Sequence, residues 1–115
     1  MTDLDKLQAE VIAFRDERNW KQFHNPKDTA ISLILEASEL LEHFQWKNEA
    51  EIKQHLARHK EDVADELADV LYWVLLIAYD LDIELDKAFM SKLHKNALKY
   101  PIDKASGSNL KYTNL

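Results

Sequence analysis

The chain reads as an all-α protein, a helical bundle of about four to five helices. Three observations carry that reading. Apolar residues recur at helical three- and four-residue spacing along most of the sequence. Only one Gly and two Pro occur in 115 residues, which leaves little of the turn chemistry a sheet needs. Leu, Ala, Glu and Lys outnumber the β-branched residues, a balance that favours helix over strand.

A first helix fits residues 3–18, with Leu4, Leu7, Val11 and Phe14 on one side. The stretch Asn19-Trp20-Lys21-Gln22-Phe23-His24 breaks that period and reads as a loop. Asn25-Pro26 then opens a long helix, with Asn as the cap and Pro at the first helical position. Ile31, Ile34, Leu35, Leu41 and Phe44 carry its apolar side to about Trp46. Asn48-Glu49-Ala50-Glu51 resembles a capping box and predicts a shorter, more polar helix to about His59. Val63, Leu67, Val70, Leu71, Val74 and Ile77 predict a fourth helix over 61–81. A fifth fits 84–99, with Leu85, Phe89, Leu93 and Ala97, and stops before Pro101. Residues 1–100 read as one helical domain. Residues 101–115, with Ser106-Gly107-Ser108-Asn109, have no period and read as a mobile tail.

The length suits one domain, whose core is thin enough that a second copy is expected to complete it. The absence of Cys excludes disulfides, thiolate metal sites and a cysteine nucleophile. A net charge of −6 argues against polymeric nucleic acid, which needs a basic stripe. It leaves room for a small anionic substrate bridged by a divalent cation. No apolar run approaches the ~20 residues of a membrane span, and MTDLDKLQAE does not read as a leader. The expected location is cytoplasmic.

Glu36 and Glu39 are three apart on the second helix, and Glu66 and Asp69 repeat the spacing on the fourth. Both pairs sit in the most apolar stretches of the chain, where a carboxylate is costly without a cation or hydrogen-bond donors. None of the four has a Lys or Arg three or four positions away; Glu39 has only His43. Two antiparallel helices would gather them into an all-oxygen cluster suited to Mg²⁺ or Mn²⁺. The plainer alternative makes these acids the solvated stripes of amphipathic helices. A ferritin-like di-metal oxidase needs Glu-x-x-His on two helices. The residues three before His24, His43, His55, His59 and His94 are Lys21, Leu40, Ile52, Leu56 and Ser91, so the motif is missing. His55 and His59, four apart, read as a solvated pair on a polar helix.

The blocks Arg18 to Pro26, Glu36-Ala37-Ser38-Glu39, Phe44-Gln45-Trp46-Lys47 and Asp65 to Leu71 follow one another in a distinctive order. Ser91-Lys92, Asn96, Lys99-Tyr100-Pro101 and Leu110 to Thr113 continue it. In this the chain resembles the dCTP pyrophosphatase branch of the MazG-like family, from Leu7 to near its end. The resemblance implies an all-α homodimer or homotetramer. It also implies Mg²⁺-dependent hydrolysis of a nucleoside triphosphate to monophosphate and pyrophosphate. It makes Glu36, Glu39, Glu66 and Asp69 the metal ligands. It assigns Trp20, Trp46 and Trp73 to the base pocket, places Lys92 and Asn96 near the nucleotide, and includes Phe23 and His24 in the binding segment. Position 73 departs from the branch, which carries Tyr there, and so leaves the choice of base open. From the residues alone, Trp20 and Phe23 lie in a loop where flat rings can stack a base or lid the bundle. Trp46 and Trp73 fit core or pocket.

Overall fold

A computed structural model describes residues 1–115. It contains helices and turns and no strand. The order is α1 (Asp3–Glu17), a 3₁₀ turn (Lys21–Phe23), α2 (Pro26–Glu42), α3 (Glu49–Asp80), α4 (Leu85–Lys99), α5 (Ile102–Ala105) and a 3₁₀ turn (Tyr112–Asn114). These elements form two compact units, Met1–Asp82 and Ile83–Leu115.

In the first unit the helix starts follow from side-chain capping. Thr2 and Asp5 cap α1 reciprocally, with the Asp5 amide donating to Thr2 Oγ1 at 3.1 Å and the Thr2 amide to Asp5 at 3.0 Å. Asn25 accepts from the Asp28 amide at 2.9 Å, and Pro26 occupies the first helical position of α2. Asn48 and Glu51 form the capping box of α3.

One boundary differs from the sequence expectation. α2 ends at Glu42 rather than near Trp46. The Phe44 and Gln45 amides both donate to the Leu41 carbonyl, and Trp46 turns left-handed at φ 68°, so the chain reverses there. A non-glycine residue in that region costs about 1–2 kcal/mol, which the turn into α3 must offset. The helices expected over 48–59 and 61–81 both form and meet at a kink at His59, where the first was expected to end and where the dihedrals are non-helical (φ −124°, ψ 25°); α3 denotes the two together.

α1 and α2 both pack on α3. Ile12, Val63, Leu75, Leu76 and Ala78 are buried, joined by Arg15 and Thr29. Thr29 satisfies its hydroxyl by donating to the Asn25 carbonyl at 2.9 Å. Arg15 reaches Asp80 at 2.8 Å. The apolar side of α2 is different: Ile31, Ile34, Leu35 and Leu41 are all exposed.

The second unit comprises α4, α5 and the last 3₁₀ turn. The residues after Pro101 carry α5 and a tyrosine contact, with Tyr100 and Tyr112 edge-to-face at 5.9 Å. The Lys99 ammonium lies over the Tyr112 ring at 4.9 Å. No helix is long and apolar enough to cross a membrane.

Candidate metal and nucleotide site

The turn at residues 43–48 folds α3 back along α2, so an early acid on one helix meets a late acid on the other. Glu36, Glu39, Glu66 and Asp69 each offer one carboxylate oxygen, and these atoms lie within 4.8 Å of one another. None of the four takes part in any of the chain's ion pairs. Glu36 Oε2 and Glu66 Oε2 are buried and have no hydrogen-bond partner. Like charges this close raise proton affinity. Glu66 is pushed up from 4.5 to about 7, first by the adjoining Glu39 carboxylate, which favours a proton between the two, then by burial and the charges of Glu39, Asp69 and Glu36. Glu36 is raised by burial first and then by Glu39 and Asp69, with Trp73 acting the other way. An oxygen-only cluster with stranded acceptor atoms fits a hard divalent cation.

Glu36 and Asp69 also line a cavity of about 580 Å³ whose other walls include Val11, Phe14, Trp20, Tyr72 and Trp73. Its rings brace one another edge-to-face: Phe14 on Trp20 at 5.7 Å, Phe14 on Tyr72 at 6.1 Å, and Tyr72 on Trp73 at 5.1 Å. The Arg18 guanidinium lies 3.7 Å from the centre of Phe14 and holds that ring from outside. Braced flat faces beside an acid cluster able to hold a cation suit a planar ring joined to an anionic chain.

The residues named from sequence divide. Trp20 and Trp73 meet in this cavity. His24 packs its ring edge-on against Trp73 at 5.4 Å, with its proton affinity lowered by burial and then by Arg15. Phe23 is 66% exposed and Trp46 91% exposed, and neither lines the cavity. Lys92 and Asn96 lie on α4 in the second unit. Phe14 and Tyr72 belong to the cavity and were missed. The helical spacing of Phe14 with Leu4, Leu7 and Val11 does not distinguish a core position from a cavity wall. The adjacent pair Tyr72-Trp73 was the one signal for Tyr72.

Comparison with known proteins decides the family. The MazG-like family model matches residues 31–115, which contain all four acids. The chain belongs to the MazG-like family. In class it is a nucleoside triphosphate pyrophosphohydrolase. Over 117 aligned residues this MazG-like chain is 38% identical to dCTP pyrophosphatase 1 of Rattus norvegicus, covering 100% of itself and 67% of that relative. It is 36% identical to dCTP pyrophosphatase 1 of Homo sapiens, with the same coverage. Its fold is similar to the crystal structure of a pyrophosphatase from Archaeoglobus fulgidus. The TM-score is 0.81 at 37% identity, covering 88% of this chain and 94% of that one.

Proposed function

We propose that this MazG-like enzyme converts dCTP, or a related pyrimidine nucleotide, to the monophosphate and pyrophosphate, with Mg²⁺ held by Glu36, Glu39, Glu66 and Asp69. The observation that carries the reading is the shared wall. Glu36 and Asp69 belong both to the acid cluster and to the cavity of Trp20 and Trp73. A base between those rings therefore has its phosphates directed at the carboxylates. When bound, the metal supplies charge neutralisation on the phosphates and activation of the attacking water; Mn²⁺ fits the same donors. The aromatic walls fix the base and exclude solvent, so the reacting phosphorus lies near the sugar. Nothing in the chain resembles a P-loop Gly-Lys-Ser that would favour release of the terminal phosphate.

Lys92 and Asn96 complete the nucleotide contacts in this reading, Asn96 supplying the hydrogen bonds that stacking cannot. The support is the resemblance of the segment around them. The exposed apolar side of α2 supports a homodimer or homotetramer. Trp73, where the dCTP branch carries Tyr, favours a second reading in which the same chemistry acts on another or a modified base.

The test is ³¹P NMR of the products across the common ribo- and deoxynucleoside triphosphates. Equal monophosphate and pyrophosphate, fastest with a cytosine deoxynucleotide, is expected. Orthophosphate and nucleoside diphosphate as first products would overturn the reaction. A purine preference would overturn only the substrate. The variant Asn96→Ala should lower efficiency most for the preferred base.

A further inference from the structure

The acid cluster has a second side. Glu39 and Glu66 line a separate cavity of about 380 Å³ together with Glu42, His43 and His55. His43 follows the last residue of α2 and His55 lies in the first part of α3, so only the reversal at residues 43–48 brings them together. His43 Nδ1 and His55 Nε2 stand 2.8 Å apart. We propose that His43 and His55 form a second divalent-cation site, one that takes a borderline transition-metal ion such as Zn²⁺, Ni²⁺ or Cu²⁺ in preference to Mg²⁺.

The separation supports this directly. Two imidazole nitrogens on one metal at about 2.0–2.1 Å stand roughly 2.9–3.3 Å apart, from octahedral to tetrahedral angles. The pair needs only a few tenths of an ångström to reach that range. In the metal-free pair one ring donates its N–H to the other. For both to ligate, the donating ring moves that proton to its other nitrogen, with no change of net charge. Burial first, and then Lys47, His59 and His43, lowers the proton affinity of His55 and favours the neutral ring a metal requires.

The remaining wall of the cavity is acidic, so a cation is favoured there and an anion is not. Glu42 is outside the four-acid cluster and adds negative charge to this wall, leaving the two imidazoles as the protein ligands and water to complete the shell. Two imidazole nitrogens select borderline metals, whereas Mg²⁺ prefers the oxygen-only cluster beside them. His59 stacks on His55 at 4.8 Å, but its Nδ1 is held by Asp62 at 3.1 Å and it does not line the cavity. The site is therefore formed between α2 and α3. It is not the His55–His59 pair that their spacing in sequence suggests.

The proposal does not depend on which nucleotide is hydrolysed, and its test needs no nucleotide. Untagged protein is titrated with Cu²⁺ in the presence of millimolar Mg²⁺, and the copper is followed by electron paramagnetic resonance. One equivalent per chain, with hyperfine structure from two equatorial nitrogens, is expected. His43→Asn and His55→Asn should each weaken binding at least tenfold and remove one nitrogen. His59→Asn and His94→Asn should change neither. A wild-type spectrum without nitrogen ligands, or copper displaced by Mg²⁺, overturns the proposal without recourse to any variant. Loss with His59→Asn but not with His43→Asn overturns it as well, by assigning the ion to the pair on α3.

Discussion

Arg15 donates from Nη1 to both carboxylate oxygens of Asp80, at 2.9 and 2.8 Å, and so ties α1 to the last residue of α3. The arginine side chain is 1% exposed and the aspartate 26%. This pair holds α1, with Phe14 and Val11 on it, against the helix that carries Asp69, Tyr72 and Trp73. The aromatic cavity depends on that contact, although neither charged residue lines it.

Removing one partner leaves a largely buried charge without compensation, a costly change. Asp80→Asn or Arg15→Met should therefore destabilise the fold by about 2–4 kcal/mol. Urea midpoints at fixed protein concentration measure this. A shift smaller than that of a surface control such as Asp3→Asn would show that the pair contributes nothing.

Acidity in the four-acid cluster has a definite sign. Glu66 is held near 7 against an ordinary 4.5, so folding favours its protonated form. The stability linked to it is fully present below about 4.5 and is lost as pH rises through about 7. Glu36, also raised, acts in the same direction. Thermal midpoints of metal-free protein should fall across this interval, and Mg²⁺ should restore them at the upper end. Glu66→Gln should flatten the profile. A midpoint rising with pH over the same range would contradict the assignment.

Single replacement of Glu36, Glu39, Glu66 or Asp69 by Ala should lower turnover more than about 100-fold, above the loss typical of residues that only support metal ligands. Helical circular dichroism should persist, because the variants relieve repulsion between like charges. Calorimetric titration should show weakened Mg²⁺ binding in each. Two variants with wild-type activity would dissociate the cluster from catalysis.

Base stacking contributes about 1–3 kcal/mol per aromatic ring, which is roughly 5- to 150-fold in affinity. Trp20→Ala and Trp73→Ala should raise KM within that range. Trp46→Ala, at a residue outside the cavity, separates the two origins of the pocket assignment. An effect as large as that of Trp20 would mean that Trp46 reaches the base from another copy of the chain.

The uncovered apolar side of α2 predicts self-association. Sedimentation at micromolar concentration should give a dimer or tetramer, and Ile34→Glu should shift it toward monomer. A compact wild-type monomer would leave that face without a partner.

The helical class, the caps at Asn25 and Asn48 and the four unpaired acids are local properties. They were legible because period, cap chemistry and ion-pair spacing act within about four residues. The segment order that pointed to the MazG-like family is likewise a property of the string. The break expected near residues 59–61 stands as a kink at His59, where the dihedrals leave the helical region. The end of α2 was set by Trp46 adopting a left-handed turn, and helical propensity does not register such a conformation. Phe14 had the spacing of a core residue, yet it lines a cavity, because only the packing of α1 on α3 decides which apolar rings meet a neighbour and which meet a gap. The approach of His43 to His55 is of the same kind: twelve residues separate them, and the reversal between two helices places one imidazole against the other.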